Sequence, residues 1–377
     1  MALFSLSIEE LRARQSLKWR TYDPDVLPLW VAEMDTNMPE PAKAALLDAV
    51  ERGDTGYPHG TAYAEAYARM AGERWGWQLD ASAQIRRAGD VMNSVLAVLD
   101  ATSEPGDAVV INPPVYPPFR QVIAGYRRRI VEAPLAPSGR LDLASLEAAF
   151  AGPEQPKTYL FCSPHNPTGA VHTEAELTAV MALAGRYGVR VVVDEIHACL
   201  VDPGTTFVPL LTVPGGEQAI SVTSAGKAWN LAGFKAGLII AGAAATGVLS
   251  QLPPLAQQSS GHLANLVHTA AINDAQDWID ELVIEIAANK AVLATELDRL
   301  VPEAGYSPAE GTYLAWVDCS NLGLANPARD FLEVGRVAFS PGVNFGVEHR
   351  GWVRINLACS PEVIVEAVAR MARTLNG

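Results

Sequence analysis

The sequence predicts an α/β protein in which a large, doubly wound and mainly parallel sheet is followed by a smaller α+β domain. Between about residues 88 and 245, helical patterns alternate with short apolar runs, which indicates parallel strands joined by crossover helices. The run Val189–Val193 is apolar throughout, as expected of a strand that helices cover on both faces. After about residue 250 this alternation is replaced by long helical stretches and two later strand-like segments.

Each element of this prediction has a local signal. The strands of the large sheet are predicted at Ala108–Asn112, Thr158–Cys162, Val189–Val193, Ala219–Thr223 and Ala236–Ala241. A helix over residues 40–52 carries Leu46, Leu47 and Val50 on one face and stops at Gly53. Thr173 and Glu176 form a capping box that opens another helix. The C-terminal part has helices over about residues 255–300, strands at Tyr313–Val317 and Trp352–Leu357, and a last helix with Ser360 as N-cap and Pro361 first.

The chain length of 377 residues predicts more than one domain, because domains usually span ~100–200 residues. We predict an N-terminal segment (1–40), a large domain (41–255) and a C-terminal α+β domain (256–377). The N-terminal segment is too short to fold alone, so it is expected to pack on the C-terminal domain or across the active site.

Composition and charge restrict the classes of partner. Hydrophobic residues make up 49% and charged residues 19%, which supports a sizeable core and argues against disorder. The formal net charge of −14 argues against a nucleic-acid partner, since phosphate binding needs clustered lysines and arginines. The run Arg127–Arg129 is the basic cluster of the sequence, and it is predicted to be a solvated turn before an apolar strand.

The cysteine spacing and the apolar runs indicate in which cellular compartment the protein is expected. The four cysteines form no C-x-x-C pair, so neither a zinc site nor a redox motif is predicted from them. The opening residues, MALFSLSIEELRARQ, have no basic leader, and Glu9 and Glu10 interrupt the apolar run, so no secretory signal is predicted. The stretch Ala236–Leu249 is shorter than the ~18 apolar residues of a membrane span. These features predict a soluble cytoplasmic protein with no membrane partner.

Polar residues follow several predicted strands, at the carboxyl ends where ligands bind in open α/β sheets. Ser163–Gly169 reads S-P-H-N-P-T-G, Asp194–His197 begins with two carboxylates, and Ser224–Lys227 places a lysine after a serine and a glycine. Asp90–Asn93 opens a helix whose backbone N–H groups are suited to a phosphate. A second cation, Lys235, follows Lys227 by eight residues, which favours a phosphate near an amine nucleophile.

Each motif also has an ordinary interpretation. Ser163–Gly169 could be only a turn. Asp194 and Glu195 could equally belong to a metal site or a helix cap, because buried carboxylates need a partner. Lys227 could merely extend to solvent. Tyr116 could be only a core aromatic, and Asn166 only a turn residue.

The order and spacing of the motifs resemble the fold-type-I pyridoxal-phosphate enzymes, the aminotransferase superfamily, over nearly the whole chain. That family has N-P-x-G, then D-x-x-[YH], then S-x-x-K with a cation eight residues later. A narrower resemblance, to the cystathionine β-lyase (C–S lyase) group, lies in L-P-L-W-V-A-E-M-D at residues 27–35. Further segments resemble the same group: Gly56–Pro58, Pro114–Phe119, Asp194–His197, Lys227–Asn230 and Arg354–Ser360.

This resemblance implies pyridoxal 5′-phosphate as cofactor and a role for each matching residue. Lys227 would bond covalently to the cofactor and move the substrate Cα proton. Arg354 would grip the substrate carboxylate. The other implied cofactor contacts are Asp194 at the pyridine nitrogen, Asn166 and His197 at the phenolic oxygen, Tyr116 stacked on the ring, and Val91, Met92, Ser224 and Lys235 at the phosphate. Two residues depart from the family pattern, since many members have arginine at the position of Lys235 and a hydroxyl residue at that of Gly226.

The resemblance also implies an assembly and a reaction. Tyr57 matches a tyrosine that reaches the phosphate of a neighbouring subunit, which implies a homodimer with its active site at the interface. Trp30, Glu33 and Asp35 are expected to line the substrate pocket. The implied reaction is β-elimination of an L-cysteine S-conjugate such as cystathionine, giving pyruvate, ammonia and a thiol.

The motifs are compatible with two other functions. The first is an aminotransferase acting on an L-amino acid and a 2-oxo acid, which shares its early steps with the lyase and is distinguished here only by residues 27–35. The second is a cofactor-sensing regulator with a DNA-binding module. It is disfavoured, because about 40 residues precede the large domain and they contain no basic recognition helix.

Overall fold

The computed structural model describes residues 2–376. Its strands are β1 (Leu27–Pro28), β2 (Ile85–Ala88), β3 (Ala108–Ile111), β4 (Arg129–Glu132), β5 (Thr158–Cys162), β6 (Arg190–Asp194), β7 (Ile220–Thr223), β8 (Gly237–Ala241), β9 (Leu314–Asp318), β10 (Val337–Ala338), β11 (Ser340–Pro341) and β12 (Trp352–Asn356). Its α-helices are α1 (Ile8–Arg12), α2 (Leu17–Arg20), α3 (Glu40–Glu51), α4 (Ala62–Trp75), α5 (Ala81–Gln84), α6 (Val91–Thr102), α7 (Pro117–Gly125), α8 (Leu143–Ala151), α9 (Glu174–Tyr187), α10 (Pro254–Gln258), α11 (His262–Asp274), α12 (Gln276–Leu300), α13 (Pro327–Glu333) and α14 (Pro361–Asn376).

The largest sheet has seven strands in the order β2-β8-β7-β6-β5-β3-β4. Strands β3 to β7 pair in parallel, and β8 lies antiparallel between β2 and β7. Its central strands are buried on both faces, which explains their continuous apolar runs. The predicted doubly wound, mainly parallel sheet is therefore confirmed.

All five predicted strands of this sheet form, with ends that differ from the prediction by at most one residue. Strands β2 and β4 were not among them. Their sequences, IRRA and RIVE, mix charged and apolar residues because each lies at an edge of the sheet, where one side faces solvent. The capping box of Thr173 and Glu176 opens α9 as predicted.

The prediction that Arg127–Arg129 is a fully solvated turn is wrong for its central residue. Arg128 is 7% exposed, and its guanidinium pairs with Asp100 at 3.0 Å. It also donates to the main-chain oxygens of Leu99 and Ser103, at the C-terminal end of α6. Cations are favoured at that end of a helix, where carbonyl groups lack intrahelical partners, so Arg128 fastens α6 to the start of β4.

The C-terminal part contains an antiparallel sheet with the order β11-β12-β9, covered by α12 and α14. The short strand β1 pairs in parallel with β10, and Leu27 and Leu29 enter the same apolar core. The N-terminal segment therefore contacts the C-terminal sheet. The domain boundaries after residues 40 and 255 stay a prediction.

Helix α3 forms as predicted, and Leu46 of its predicted apolar face packs against the core, but Leu47 and Val50 do not. Its buried residues are Ala42 and Ala49, whereas Leu47 is 51% and Val50 is 53% exposed. Small residues allow α3 to lie close to α11, and two large apolar side chains are left facing outward. No helix within residues 2–376 has the length and apolar character needed to cross a membrane.

Candidate active site

A cavity of about 210 Å³ lies beyond the carboxyl ends of β5, β6 and β7. This position follows from the parallel sheet, because strands running the same way bring the loops after them to one edge. Ten of the fourteen predicted site residues line the cavity: Val91, Met92, Tyr116, Asn166, Asp194, His197, Ser224, Lys227, Lys235 and Arg354. Val31, Ala32, Ile196 and Phe234 add apolar surface to the wall.

Lys227 follows β7 and is half-buried, with its amine directed at the N-terminal segment. Its Nζ donates a hydrogen bond to the main-chain oxygen of Ala32 at 2.7 Å. Burial lowers the pKa of Lys227 to about 8, and the positive charges of Arg354 and Lys235 act in the same direction. The lowered pKa increases the neutral fraction of this amine near neutral pH, and the neutral form is the one that a nucleophile requires.

Asp194 ends β6 and is 3% exposed. Its carboxylate accepts a hydrogen bond from the main-chain N–H of Ile196 at 3.0 Å, and burial raises its pKa to about 7. Within residues 2–376 it forms no ion pair, although a buried carboxylate is stable only beside a compensating cation or proton. Asp194 is thus suited to a ligand that presents a protonated nitrogen.

His197 lies near Asp194, with its ring edge-on to Tyr313 at 6.2 Å. Burial lowers the pKa of His197 to about 3, so the imidazole is neutral at physiological pH. Its Nδ1 is buried and has no hydrogen-bond partner in the part of the chain that the structure describes. Such an atom is costly unless a ligand or water meets it.

The N-terminus of α6 forms one end of the cavity. Asp90 caps the helix by accepting from the N–H of Asn93 at 2.8 Å, and Val91 and Met92 occupy the first turn. Strand β8 passes close by, since a Cβ added at Gly237 would lie 2.8 Å from the main-chain carbon of Asp90. This approach of a helix N-terminus to a tight strand is typical of phosphate sites.

Two polar side chains border this helix start. The hydroxyl of Ser224 donates to the Ala236 oxygen at 2.6 Å and accepts from the Gly226 N–H at 3.0 Å. Lys235 is 64% exposed, and its Nζ lies 3.3 Å from the Asp90 carboxylate. The ion pair offsets the negative charge of Asp90, which otherwise disfavours an anion at this helix start.

Arg354, on β12, closes the opposite end of the cavity. Its guanidinium donates to Asn166 Oδ1 at 3.0 Å and to the Trp30 oxygen and Ser340 Oγ at 3.2 Å each. It also lies 4.9 Å from the ring centroid of Phe345. Burial lowers the pKa of Arg354 to about 10.

The charge of Arg354 has no anionic partner among residues 2–376. It is 6% exposed and forms no ion pair with any carboxylate of residues 2–376, and its Nε has no hydrogen-bond partner there. Because a buried cation without a counter-charge is unfavourable, the arrangement suits a ligand carboxylate.

Tyr116 stands at the start of α7, half-buried and edge-on to Phe119 at 5.9 Å. Burial raises its pKa to about 12, so its phenol is neutral. It presents an aromatic surface to the cavity, in keeping with a planar ligand.

Trp30 and Tyr57 were predicted site residues but are not among those that line the cavity. Trp30 contacts the site through its main-chain oxygen, which accepts from Arg354, while its ring lies edge-on to Tyr22 at 5.8 Å. Tyr57 is 96% exposed. Its predicted role concerns a neighbouring subunit.

The expectation that Glu33 and Asp35 line the pocket is wrong for this chain. Asp35 is buried in an ion pair with Lys18 at 2.8 Å and accepts from the Trp19 indole. The Glu33 carboxylate accepts from Ser16 Oγ at 2.5 Å. Both acidic residues instead tie the segment after β1 to helix α2 and its N-cap.

Sequence reasoning missed Ala32, Ser340 and Phe345. Ala32 acts through a main-chain oxygen, for which residue type gives no signal. Ser340 and Phe345 lie on the chain before β12, and only the fold brings them against Arg354.

The site defines a class of protein: a buried carboxylate, a lysine of lowered pKa, a helix N-terminus and an unpaired arginine surround one cavity at the carboxyl edge of a parallel sheet. Residues 24–371 match the model of the aminotransferase class I and II family, and the chain belongs to that family. These are the residues needed to hold an aromatic aldehyde phosphate with a basic ring nitrogen, so the chemistry of the site fits pyridoxal phosphate.

Relatives that align with nearly the whole chain include cystathionine beta-lyases. A Mycobacterium leprae protein, provisionally named cystathionine beta-lyase, is 44% identical over 394 residues, covering 99% of this chain and 98% of the relative. The cystathionine beta-lyase of Corynebacterium glutamicum is 32% identical over 374 residues, covering 98% and 99%. The crystal structure of cystalysin from Treponema denticola, which contains pyridoxal 5′-phosphate, has a TM-score of 0.91 at 26% identity and covers 100% and 99% of the two chains.

Proposed function

We propose that this protein is a pyridoxal-phosphate-dependent carbon–sulfur lyase that catalyses β-elimination of L-cysteine S-conjugates such as cystathionine. The observation that carries this proposal is the full-length similarity to cystathionine beta-lyases. The segment Trp30–Asp35, which the sequence shares with that group, supports it because Ala32 contacts the amine of Lys227 directly.

When bound, pyridoxal phosphate supplies an electron-withdrawing ring that stabilises the carbanion formed when the substrate Cα loses its proton. We assign Lys227 as the residue that bonds to its aldehyde carbon. Asp194 holds a proton at the pyridine nitrogen, and the raised pKa of its carboxyl shows how strongly burial favours a neutralising partner there. Tyr116 lies against the ring.

Further residues hold the two ends of the cofactor. Neutral His197 and Asn166 donate to the phenolic oxygen, since Asn166 Oδ1 is engaged by Arg354 and leaves the amide N–H groups for this role. The phosphate is held by the N–H groups of Val91 and Met92, the Ser224 hydroxyl and Lys235. Lysine contributes a point charge here, without the two-pronged geometry of arginine.

The substrate is oriented by Arg354, which binds the α-carboxylate as its missing counter-ion. Once the substrate amine has replaced Lys227 on the cofactor, the freed neutral amine of Lys227 removes the Cα proton. The electron pair of the Cα–H bond forms the Cα–Cβ double bond, and the Cβ–S bond breaks with its electrons leaving on sulfur. The resulting ammonium of Lys227 is placed to protonate the departing thiolate. Hydrolysis of the unsaturated amino acid gives pyruvate and ammonia.

Product analysis with L-cystathionine alone tests the reaction. A lyase releases pyruvate, ammonia and homocysteine continuously, because elimination needs no second substrate. An aminotransferase stops after one turnover and resumes when a 2-oxo acid is added. Release that stalls at one equivalent per site and is restored by an oxo acid would replace the lyase with an aminotransferase.

We further propose that the enzyme is a homodimer whose active sites lie at the subunit interface. Tyr57 is 96% exposed, and the outward face of α3 exposes Leu47 and Val50. Exposed tyrosines and exposed large apolar side chains are both typical of residues that a partner subunit covers. Tyr57 would then reach the phosphate end of the neighbouring cavity.

The cytoplasm is the compartment that we propose. All four cysteines are unpaired, and Cys162, Cys319 and Cys359 are buried. Unpaired buried thiols are typical of proteins from reducing compartments. Neither a nucleic acid nor a membrane is proposed as a partner, in keeping with the net charge of −14.

A further inference from the structure

Val31 and Ala32 form the part of the cavity wall next to Lys227, and two asparagines hold the backbone of residues 31–34. The amide of Asn356 donates to the oxygens of Val31 at 2.8 Å and Glu33 at 2.6 Å. Asn230 pairs with Met34 in both directions, accepting from its N–H at 2.9 Å and donating to its oxygen at 3.0 Å.

Between these held groups lies the oxygen of Ala32. It accepts from Lys227 Nζ at 2.7 Å and from the hydroxyl of Tyr313 at 3.2 Å. The Ala32 oxygen and the Glu33 N–H belong to one planar peptide unit and point in opposite directions, and this N–H donates to the Val31 oxygen at 2.9 Å, which fixes the direction of the Ala32 oxygen. Asn356 and Asn230 therefore determine where the acceptor of the Lys227 amine lies.

Neither asparagine is among the residues that line the cavity, and each is held by its own part of the fold. Asn356 is 1% exposed, and its own Oδ1 accepts from the N–H of Ala358 at 2.8 Å. Asn230 lies three residues after Lys227 and has a φ of 55°, a left-handed conformation that asparagine tolerates better than most residues. Asn356 lies on β12 with Arg354, and Asn230 lies in the loop after β7 with Lys227.

We propose that Asn230 and Asn356 are positioning residues for Lys227, which place the Ala32 oxygen so that it receives and orients the amine whenever that amine is not bonded to the cofactor. This inference rests on the role of Lys227 in the proposed function. The amine is free after substrate has displaced it, which is also when it must take the Cα proton. A fixed acceptor limits the orientations of the amine and favours its protonated form.

Other charges act on the same amine from several elements. Arg354 on β12 and Lys235 before β8 disfavour the protonated form, whereas Glu33 in the N-terminal segment and Asp194 at the end of β6 favour it. Burial disfavours it most. The Ala32 oxygen is the group that contacts the amine directly, so its displacement should lower the pKa of Lys227 further.

The test uses full-length protein from which the cofactor has been removed, with circular dichroism to verify the fold. The pH dependence of Lys227 acylation by an amine-specific reagent, read by peptide mass spectrometry, gives the midpoint of its titration. The variants are Asn356→Ala, and Asn230→Gly, in which glycine keeps the left-handed conformation without strain. Asn289→Ala is the matched control, because Asn289 is equally buried and donates to the oxygens of Leu357 and Cys359 but not to residues 31–34.

We expect each test variant to lower the midpoint by ~0.5–1 pH unit, while Asn289→Ala leaves it unchanged. In the holoenzyme, kcat should fall about tenfold with KM changed less than threefold, since proton transfer rather than substrate binding is affected. Unchanged midpoints in both test variants, or an equal shift in Asn289→Ala, would overturn the inference. A midpoint shift in a protein that lacks lyase activity would support the positioning role and reject the proposed reaction.

Discussion

The guanidinium of Arg354 and the side-chain oxygen of Asn166 lie 3.0 Å apart, in a hydrogen bond that joins β12 to the loop after β5. The two residues are 188 positions apart in the chain. Because Asn166 is a proposed cofactor contact and Arg354 is the proposed substrate contact, this bond couples the proposed binding sites of the two molecules.

Substitution of Arg354 should affect substrate binding most. Arg354→Lys keeps the charge but loses the bidentate grip on a carboxylate, so KM for L-cystathionine should rise about 10- to 100-fold. Steady-state kinetics measure this change, and Arg140→Lys, at an ion pair with Glu176, serves as a control. An unchanged KM would remove Arg354 from the substrate site.

The cofactor should be attached to Lys227 alone. Borohydride reduction of the holoenzyme should fix the cofactor to the peptide that contains Lys227, and Lys227→Ala should reduce turnover by at least ~10³-fold with the fold retained. Lys290 is a useful comparison, because burial also lowers its pKa, but Asp202 pairs with it at 2.6 Å. Label recovered on Lys290 or any other lysine would contradict the assignment.

The cofactor-free protein should become more stable when Asp194 is neutralised. The pKa of Asp194 is raised to about 7 in the folded state from an ordinary value of 3.8, so the folded state binds more protons between these values. Its contribution to the free energy of unfolding therefore decreases as pH rises through this window, by up to about 1.4 kcal/mol per pH unit. Above pH 7 the buried Asp194 carboxylate is ionised in the folded state, and its full unfavourable contribution to the free energy of unfolding is present.

Melting temperatures of Asp194→Asn and the wild type, both without cofactor, measure this effect between pH 5 and 8. Asp194→Asn should melt at a higher temperature than the wild type, and this difference in melting temperature should grow with pH up to about 7. The difference is the informative quantity, because buried imidazoles such as His197, whose pKa is lowered, act in the opposite direction in both proteins. Asp298→Asn, at an exposed position of α12, should show no such trend, and a constant difference for Asp194→Asn would count against the buried carboxylate.

Tyr57→Phe should weaken cofactor retention more than folding. If the hydroxyl reaches the phosphate of the neighbouring subunit, its loss should raise the dissociation constant of the cofactor about 5- to 20-fold, as for one hydrogen bond to a charged group. Equilibrium dialysis measures this change, and Tyr126→Phe, at another exposed tyrosine, is the control. Sedimentation of the wild type should give a dimer, and a fully active monomer at micromolar concentration would refute the shared site.

The sequence by itself determined the sheet and the main composition of the cavity. Continuous apolar runs predicted the central strands, and the residues after them, such as Asn166, Asp194 and Lys227, were predicted to meet. This prediction holds because parallel strands bring their carboxyl ends to one edge of the sheet, so that the residues that follow different strands lie close together.

Only the tertiary structure decided how several polar groups are used. Arg128, predicted to be solvated, is buried at the end of α6, and Asp35, expected in the pocket, pairs with Lys18. The oxygen of Ala32 meets Lys227 because Asn230 and Asn356, distant in sequence, fix the backbone around it. A local pattern specifies which face of an element is apolar, but the partner of a buried charge or carbonyl depends on which distant segments pack against it.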